Sequence, residues 1–208
     1  MKKIIIGLIL IFLCITSNAN ASDILFTDVY SMFRDSTVSI FSVGNNEVST
    51  CSGVLIENTL HKSKVLTAKH CIDVFEKTYV EDIEVSYIIT SKDDDIALLV
   101  LNQYIPYKTS AKLFYRNVYK LEKIYHIGYP NLDEYKSEGY VNLARGDSHY
   151  AKMKIIPGCS GGGLFNEKGK LVGIVWGGVS LYSNKSLAIY EPLTDINRFL
   201  RTINEKNN

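Results

Sequence analysis

The sequence predicts an all-β protein that ends in one amphipathic helix. Short runs rich in β-branched and aromatic residues recur along the 208-residue chain, and turn-forming residues bound each of them. No amphipathic segment of about ten or more residues separates these runs, as it would in a sheet of parallel βαβ units. Only the last segment before the C terminus has helical spacing. These three observations favour a sandwich or barrel of short strands.

The predicted elements begin with a short helical turn over residues 29–35. Thr37–Val43 alternates polar and apolar residues, as a half-buried strand does, and Gly44-Asn45-Asn46 has the composition of a hairpin turn. Further runs have strand length and turn residues at both ends: Gly53–Ile56, Val65–Ala68, Val85–Thr90, Ile96–Leu101, Ile124–Gly128, Leu171–Val175 and Leu187–Tyr190.

The closing helix is predicted over residues 192–203. Leu193, Ile196, Phe199, Leu200 and Ile203 recur at helical spacing and would form one apolar face. We therefore expect this helix to pack along one side on the strands.

Residues 1–21 have the pattern of a secretory signal peptide. Lys2 and Lys3 precede an apolar run from Ile4 to Ile15, and small residues then lead to Ala21. The apolar run is short for a membrane span. We expect a cut after Ala21, no membrane attachment afterwards, and a mature domain of residues 22–208 that is secreted or periplasmic.

Charge and cysteine content narrow the function further. The formal net charge is +1, with charged residues spread along the chain, so nothing supports nucleic acid as a partner. Removal of the signal leaves Cys51, Cys71 and Cys159 in a compartment where disulfides persist. Because the number is odd, at least one thiol stays free or pairs outside the chain.

Ser160 lies in a run of glycines, Gly158-Cys159-Ser160-Gly161-Gly162-Gly163. Glycine accepts backbone angles that other residues avoid, so this run predicts a tight turn that exposes the hydroxyl. The amides of Gly158 and Ser160 could converge there as an oxyanion hole. A glycine-rich hairpin without any catalytic role would explain the same residues. The interpretation of Ser160 as a nucleophile therefore requires other catalytic residues elsewhere in the chain.

Two other segments supply such partners. A serine nucleophile needs a base that a third group orients. His70 follows the predicted strand at Val65–Ala68 and precedes Cys71 at once. Asp95 directly precedes the apolar strand at Ile96–Leu101, so it can be the buried carboxylate that holds the imidazole.

Together these segments resemble the trypsin-like serine proteases of the chymotrypsin fold. Thr67–Cys71 resembles the histidine motif of that family, Asp95–Leu99 its aspartate motif and Gly158–Gly162 its serine motif, in the family's order. Cys51-Ser52-Gly53 and Gly173–Gly178 match further family segments. The resemblance extends over roughly residues 30–203. It is nearest to the compact bacterial HtrA/Deg and glutamyl endopeptidase branches, without a PDZ domain.

The resemblance implies two six-stranded antiparallel β-barrels with a C-terminal helix and a boundary near residues 105–120. His70 and Asp95 would come from the first barrel and Ser160 from the second. It also implies a Cys51–Cys71 disulfide that clamps the loop of His70. The expected function is cleavage of polypeptides by a serine endopeptidase with no metal or organic cofactor, and no metal-ligand motif is present.

Cys159 separates this sequence from the digestive enzymes, which carry an aspartate at that place to capture a new N-terminal ammonium. We therefore expect activity with no cleavage beyond signal removal. Viral relatives of the fold use cysteine as nucleophile in the pattern Gly-x-Cys-Gly-Gly, but two glycines follow Ser160 and not Cys159. Gly146-Asp147-Ser148 resembles a familiar serine triplet but continues without glycines, so we reject it.

The substrate pocket is predicted from the same resemblance. Lys154 falls near the pocket floor, which would favour acidic side chains, and Val175, Trp176 and Gly177 fall on the strand along which substrate lies. Two rival functions stay open: a peptide-binding pseudoprotease that does not cut, and an esterase that uses the same triad.

Overall fold

A computed structural model of the protein describes residues 29–44, 47–142, 149–181 and 185–206. The signal peptide and Gly146-Asp147-Ser148 lie outside the described residues. So do Asn45 and Asn46, although the strands on either side of them pair up to Gly44 opposite Glu47. No helix within the described ranges is long and apolar enough to cross a membrane.

The described chain is nearly all β. Residues 29–34 form a helical segment, and short 3-10 helices occupy Lys69–Cys71 and Pro130–Leu132. The C-terminal helix spans Leu193–Lys206. The strands are β1 (Thr37–Gly44), β2 (Glu47–Thr59), β3 (Lys62–Thr67), β4 (Lys77–Val80), β5 (Ile83–Glu84), β6 (Tyr87–Thr90), β7 (Ala97–Leu101), β8 (Lys112–Leu113), β9 (Lys123–Gly128), β10 (Tyr135–Val141), β11 (His149–Lys152), β12 (Gly163–Phe165), β13 (Lys170–Leu181) and β14 (Lys185–Pro192).

The first lobe is one seven-stranded sheet in the order β5-β4-β1-β2-β3-β7-β6. Its edge strands β5 and β6 are joined by Val85 and Ser86 alone, so the sheet curls until its two edges approach each other. The strand predicted over Val85–Thr90 is present as β6 but begins two residues later, at Tyr87. The backbone amide of Val85 binds β4 through Thr78, whereas that of Ser86 binds β7 through Val100, so the chain changes edges there.

The second lobe is a closed barrel. Its strands follow the order β12-β9-β10-β11-β14-β13, and β13 pairs back with β12 to close a ring of six. The short strand β8 adds to β13 in parallel register at the end of the connection between the lobes. With the curled first sheet and the C-terminal helix, this arrangement confirms the chymotrypsin-like fold that the sequence predicted.

Three apolar clusters hold the fold together. One fills each lobe, and the third lies between the lobes and joins both of them to the terminal segments. In the third, Phe33 of the helical segment stacks on Phe165 with ring centroids 4.2 Å apart, and Ile196 and Phe199 of the C-terminal helix are buried beside them. The helix thus packs on the strands through its apolar face, as predicted, and the first and last described segments stabilise the contact between the lobes.

Candidate active site

His70 and Asp95 are neighbours because the strands next to them pair. β3 ends at Thr67, directly opposite Ala97 at the start of β7. The chain then enters the 3-10 helix that carries His70, while Asp95 ends the loop before β7. Nδ1 of His70 lies 2.6 Å from Oδ2 of Asp95, and the backbone amide of His70 donates to Oδ1 at 2.9 Å. Both carboxylate oxygens therefore hold one histidine.

The charges of the pair support each other. The hydrogen bond to Asp95 raises the pKa of His70, and it outweighs the lowering effect of burial. Burial alone would raise the pKa of Asp95, but the hydrogen bonds from His70 lower it overall. An ionised carboxylate only accepts hydrogen bonds, so Nδ1 carries a proton and Nε2 of the neutral ring is free to act as a base.

Ser160 follows two residues after Gly158, whose φ of +92° only glycine adopts easily. Its side chain is half-buried, and its hydroxyl donates to the carbonyl of Trp176 at 3.4 Å. No hydrogen bond joins Ser160 to His70 within the described part of the chain. The two residues are nevertheless close, since Sγ of Cys71 lies 3.9 Å from Nε2 of His70 and 3.7 Å from the carbonyl oxygen of Ser160.

The amides of the turn fall into two groups. Those of Cys159, Gly161 and Gly162 donate to backbone carbonyls at 2.6–3.1 Å. Those of Gly158 and Ser160 donate to no acceptor in the residues that the structure describes. A half-buried N–H without a partner is rare in folded proteins, so these two amides are available to an anionic ligand. They are the pair for which the sequence predicts an oxyanion hole.

Ser52 of β2 connects the turn to the first lobe, and the sequence analysis missed its role. This serine is completely buried. Its hydroxyl donates to the carbonyl of Gly158 and accepts the amide hydrogen of Tyr129, both at 2.8 Å. Its backbone amide donates to the carbonyl of Ser160 at 2.8 Å. A polar residue inside a buried stretch of strand was the only signal that could have identified it.

The Cys51–Cys71 disulfide is present, as the resemblance implied. It joins β2, one residue before Ser52, to the 3-10 helix of His70. Cys159 is the free cysteine among the residues that the structure describes, and it is completely buried. Burial raises the pKa of its thiol to about 11. The buried neutral thiol favours Ser160 over Cys159 as the nucleophile and makes a reaction with thiol reagents unfavourable in the folded protein.

The residues predicted to bind substrate lie at different depths. Val175 is buried in the second barrel, and Trp176 occupies a bulge of β13 and packs against the core of the first lobe. A side chain at Gly177 would meet open space. Lys154 is exposed, and its carbonyl accepts a hydrogen bond from Tyr135. Its place in a pocket stays a prediction.

A cluster of acidic residues lies behind Asp95. Single carboxylate oxygens of Asp94, Glu191 and Asp195 lie within 4.8 Å of one another. Arg198 of the C-terminal helix binds Asp94 at 2.6 Å and Asp195 at 3.2 Å, so a protein cation already balances part of this charge. Glu191 also accepts the backbone amide hydrogen of Asp95, a contact that sequence reasoning missed.

Three solved structures that resemble this fold are proteases. The protease Rv3671c from M. tuberculosis, in its active form, has a TM-score of 0.70 and 17% identity, covering 86% of this chain and 85% of that one. The serine endoprotease from Yersinia pestis has a TM-score of 0.72 and 20% identity, covering 85% and 65%. The HtrA-type protease AlgW with tripeptide has a TM-score of 0.71 and 18% identity, covering 88% and 64%. At these identities the likeness concerns the fold.

The family comparison is independent of these structures. No curated protein sequence matches the chain. A family model described as a trypsin-like peptidase domain matches residues 51–174, which is more than half of the chain and includes His70, Asp95 and Ser160. The chain therefore belongs to the trypsin-like peptidase family and is a serine endopeptidase.

Proposed function

We propose that this protein is an exported endopeptidase that cleaves polypeptides through an acyl-enzyme formed on Ser160. The observation that carries the proposal is the His70–Asp95 pair beside a turn in which the amides of Gly158 and Ser160 lack acceptors among the described residues. The N-terminal signal pattern and the disulfide, which persists in oxidising compartments, support export to the periplasm or the medium.

In the proposed reaction the Ser160 hydroxyl leaves the Trp176 carbonyl and turns to Nε2 of His70. His70 takes its proton as the oxygen attacks the peptide carbonyl, and Asp95 stabilises the imidazolium that forms. The amides of Gly158 and Ser160 donate to the oxyanion. His70 then returns the proton to the leaving amine, and water releases the acyl group by the same steps. A peptide would lie along Val175, Trp176 and Gly177 of β13.

The turn is shaped without an ion pair to a new N terminus. Cys159 offers no carboxylate, and its buried thiol fills the place. We propose that removal of residues 1–21 is the only cleavage needed for activity. A chain that begins at Ser22 should be fully active, and strict dependence on a second N-terminal cut would contradict this.

Labelling with a fluorophosphonate tests the nucleophile. The protein that begins at Ser22 and its Cys159→Ala variant should both be labelled, whereas Ser160→Ala should not, since the reagent bonds covalently to an activated serine. Labelled protein should lose its ability to digest casein. Labelling of Ser160→Ala, or of none of the three, would overturn the proposal. Labelling of Ser160 without digestion of any peptide library would indicate the esterase, and peptide binding without labelling the pseudoprotease.

A further inference from the structure

Glu191 is the second-to-last residue of β14 and lies two residues before the C-terminal helix begins at Leu193. It pairs with Ile174 of β13, so its backbone belongs to the second barrel, as that of Ser160 does. Its half-buried side chain reaches across to the first lobe, where Oε1 accepts the backbone amide hydrogen of Asp95 at 3.2 Å. Glu191, from the same lobe as Ser160, thus binds the backbone amide of Asp95, the residue that orients His70.

The other bonds of Asp95 all lie within the first lobe. Its carbonyl accepts the amide hydrogen of Lys69 at 3.2 Å, and its carboxylate binds the ring and backbone of His70. These bonds fix Asp95 relative to the histidine but not relative to Ser160. Among the hydrogen bonds of Asp95 to described residues, the bond to Glu191 alone connects it to the second barrel.

The surroundings make Glu191 a costly residue at this place. Asp94, Asp95 and Asp195 are its charged neighbours, and the cation Arg198 binds Asp94 and Asp195 rather than Glu191. Burial, and to a smaller degree these carboxylates, raise the pKa of Glu191 to about 7. Removal of this half-buried acid relieves the repulsion from its neighbouring carboxylates but leaves the Asp95 amide without an acceptor, so the two effects on stability oppose each other. A loss of activity that exceeds any loss of stability would therefore report the contact itself.

We propose that Glu191 is a positioning residue: by holding the Asp95 amide from the second lobe, it sets the His70–Asp95 pair against Ser160. The inference rests on the proposed function, since it assigns Glu191 a role in acylation of that serine. The acceptor matters and not the charge, because a carbonyl-type oxygen accepts the amide hydrogen whether the group is ionised, protonated or an amide.

Three variants test the proposal. Glu191→Gln keeps an acceptor oxygen, Glu191→Leu removes it, and Asp195→Asn is a control in the same acidic cluster that does not touch Asp95. The rate of fluorophosphonate labelling should fall about tenfold in Glu191→Leu, the effect of losing one hydrogen bond that orients the transition state. Glu191→Gln and Asp195→Asn should stay within about twofold of the wild type on the same scale. The temperature of unfolding should change little in Glu191→Leu, because relief of the repulsion among the carboxylates offsets the lost hydrogen bond.

A spectroscopic measurement separates positioning from general stability. The Nδ1 proton of His70 in its short bond to Asp95 should resonate far downfield, and Ser160→Ala provides a stable background for it. Its resonance should move in Glu191→Leu and stay in Asp195→Asn. In the protein with Glu191 intact, the Asp95 amide hydrogen should exchange slowly with solvent. This measurement needs no variant at position 191, so it tests the contact even if Glu191→Leu does not fold.

The inference is overturned if Glu191→Leu labels at the wild-type rate or if Glu191→Gln is as slow as Glu191→Leu. It is also overturned if the His70 resonance does not move in Glu191→Leu, or if the Asp95 amide exchanges freely. These outcomes differ from failure of the proposed function. Labelling of Ser160→Ala would show that Ser160 is not the nucleophile, which contradicts the proposed function. Loss of labelling in Ser160→Ala together with normal labelling of Glu191→Leu would contradict only the role of Glu191.

Discussion

His126 should make the protein less stable in acid. It lies on β9 directly behind the nucleophile turn and is completely buried. Nδ1 donates to the carbonyl of Gly163 at 3.0 Å, and Nε2 has no hydrogen-bond partner among the described residues. Burial without a carboxylate nearby lowers the pKa of His126 to about 4. The ring is therefore neutral in the folded protein and basic in the unfolded chain.

The sign and size of the effect follow from this difference. Between the unfolded pKa of 6.5 and the folded pKa of about 4, the unfolded chain binds more protons, so the free energy of unfolding falls as the pH falls. Each pKa unit corresponds to about 1.4 kcal/mol, so His126 should remove about 3 kcal/mol of stability between pH 7 and pH 4. This is a large share of the stability of a typical domain.

Comparison with His126→Asn isolates this contribution from the other titrating groups. Asparagine can keep the donor to Gly163 but does not titrate. Urea unfolding, followed by the fluorescence of Trp176 in the Ser160→Ala background to prevent self-digestion, gives the free energy of unfolding at pH 7, 6, 5 and 4. The variant will be less stable at pH 7 because it leaves a cavity. The difference should shrink or reverse by about 3 kcal/mol at pH 4, and parallel curves would refute the reasoning.

Two further changes should act on the turn and on its support. Ser52→Ala leaves the carbonyl of Gly158 and the amide of Tyr129 without their partner, so it should cost about 1–3 kcal/mol of stability and slow fluorophosphonate labelling. Ser49→Ala on the same strand is the control and should change neither property. Equal effects of the two variants on urea unfolding would contradict this prediction. Reduction of the Cys51–Cys71 disulfide opens a loop with a sequence separation of 20. It should lower the free energy of unfolding by about 3 kcal/mol. An unchanged midpoint of urea unfolding in the presence of reductant would exclude this contribution.

The strands that the sequence predicted are those whose apolar residues dominate the local pattern. β7 is buried over its whole length and reads as a continuous apolar run. β10 was not predicted, since Lys136, Glu138 and Tyr140 face solvent and give it no apolar pattern. It is a strand mainly because it pairs with its neighbouring strands. β12 was hidden because it has only three residues and continues the glycine run of the turn.

The candidate site divides in a similar way. His70, Asp95 and Ser160 each stand in a local motif, so a sequence can reveal them one by one. Glu191 contacts Asp95 across a separation of 96 residues, and nothing near it in the chain distinguishes it from a surface acid. The state of Cys159 could not follow from an odd cysteine count, because its burial depends on how the turn packs on the strands behind it.

The two glycines after Ser160 show what the sequence pattern means physically. A Cβ atom at Gly161 would lie 2.1 Å from the carbonyl oxygen of Ser52 and from Oγ1 of Thr67, and one at Gly162 would lie 2.5 Å from Cε1 of His126. Gly161 is therefore set by contact with the first lobe, and Gly162 by the buried histidine of the second. Ser160 immediately precedes these two contacts, whereas Cys159 lies one residue further away. The two glycines that identified Ser160 in the sequence are thus required by the packing of the turn between the first lobe and His126, and not by the flexibility of glycine alone.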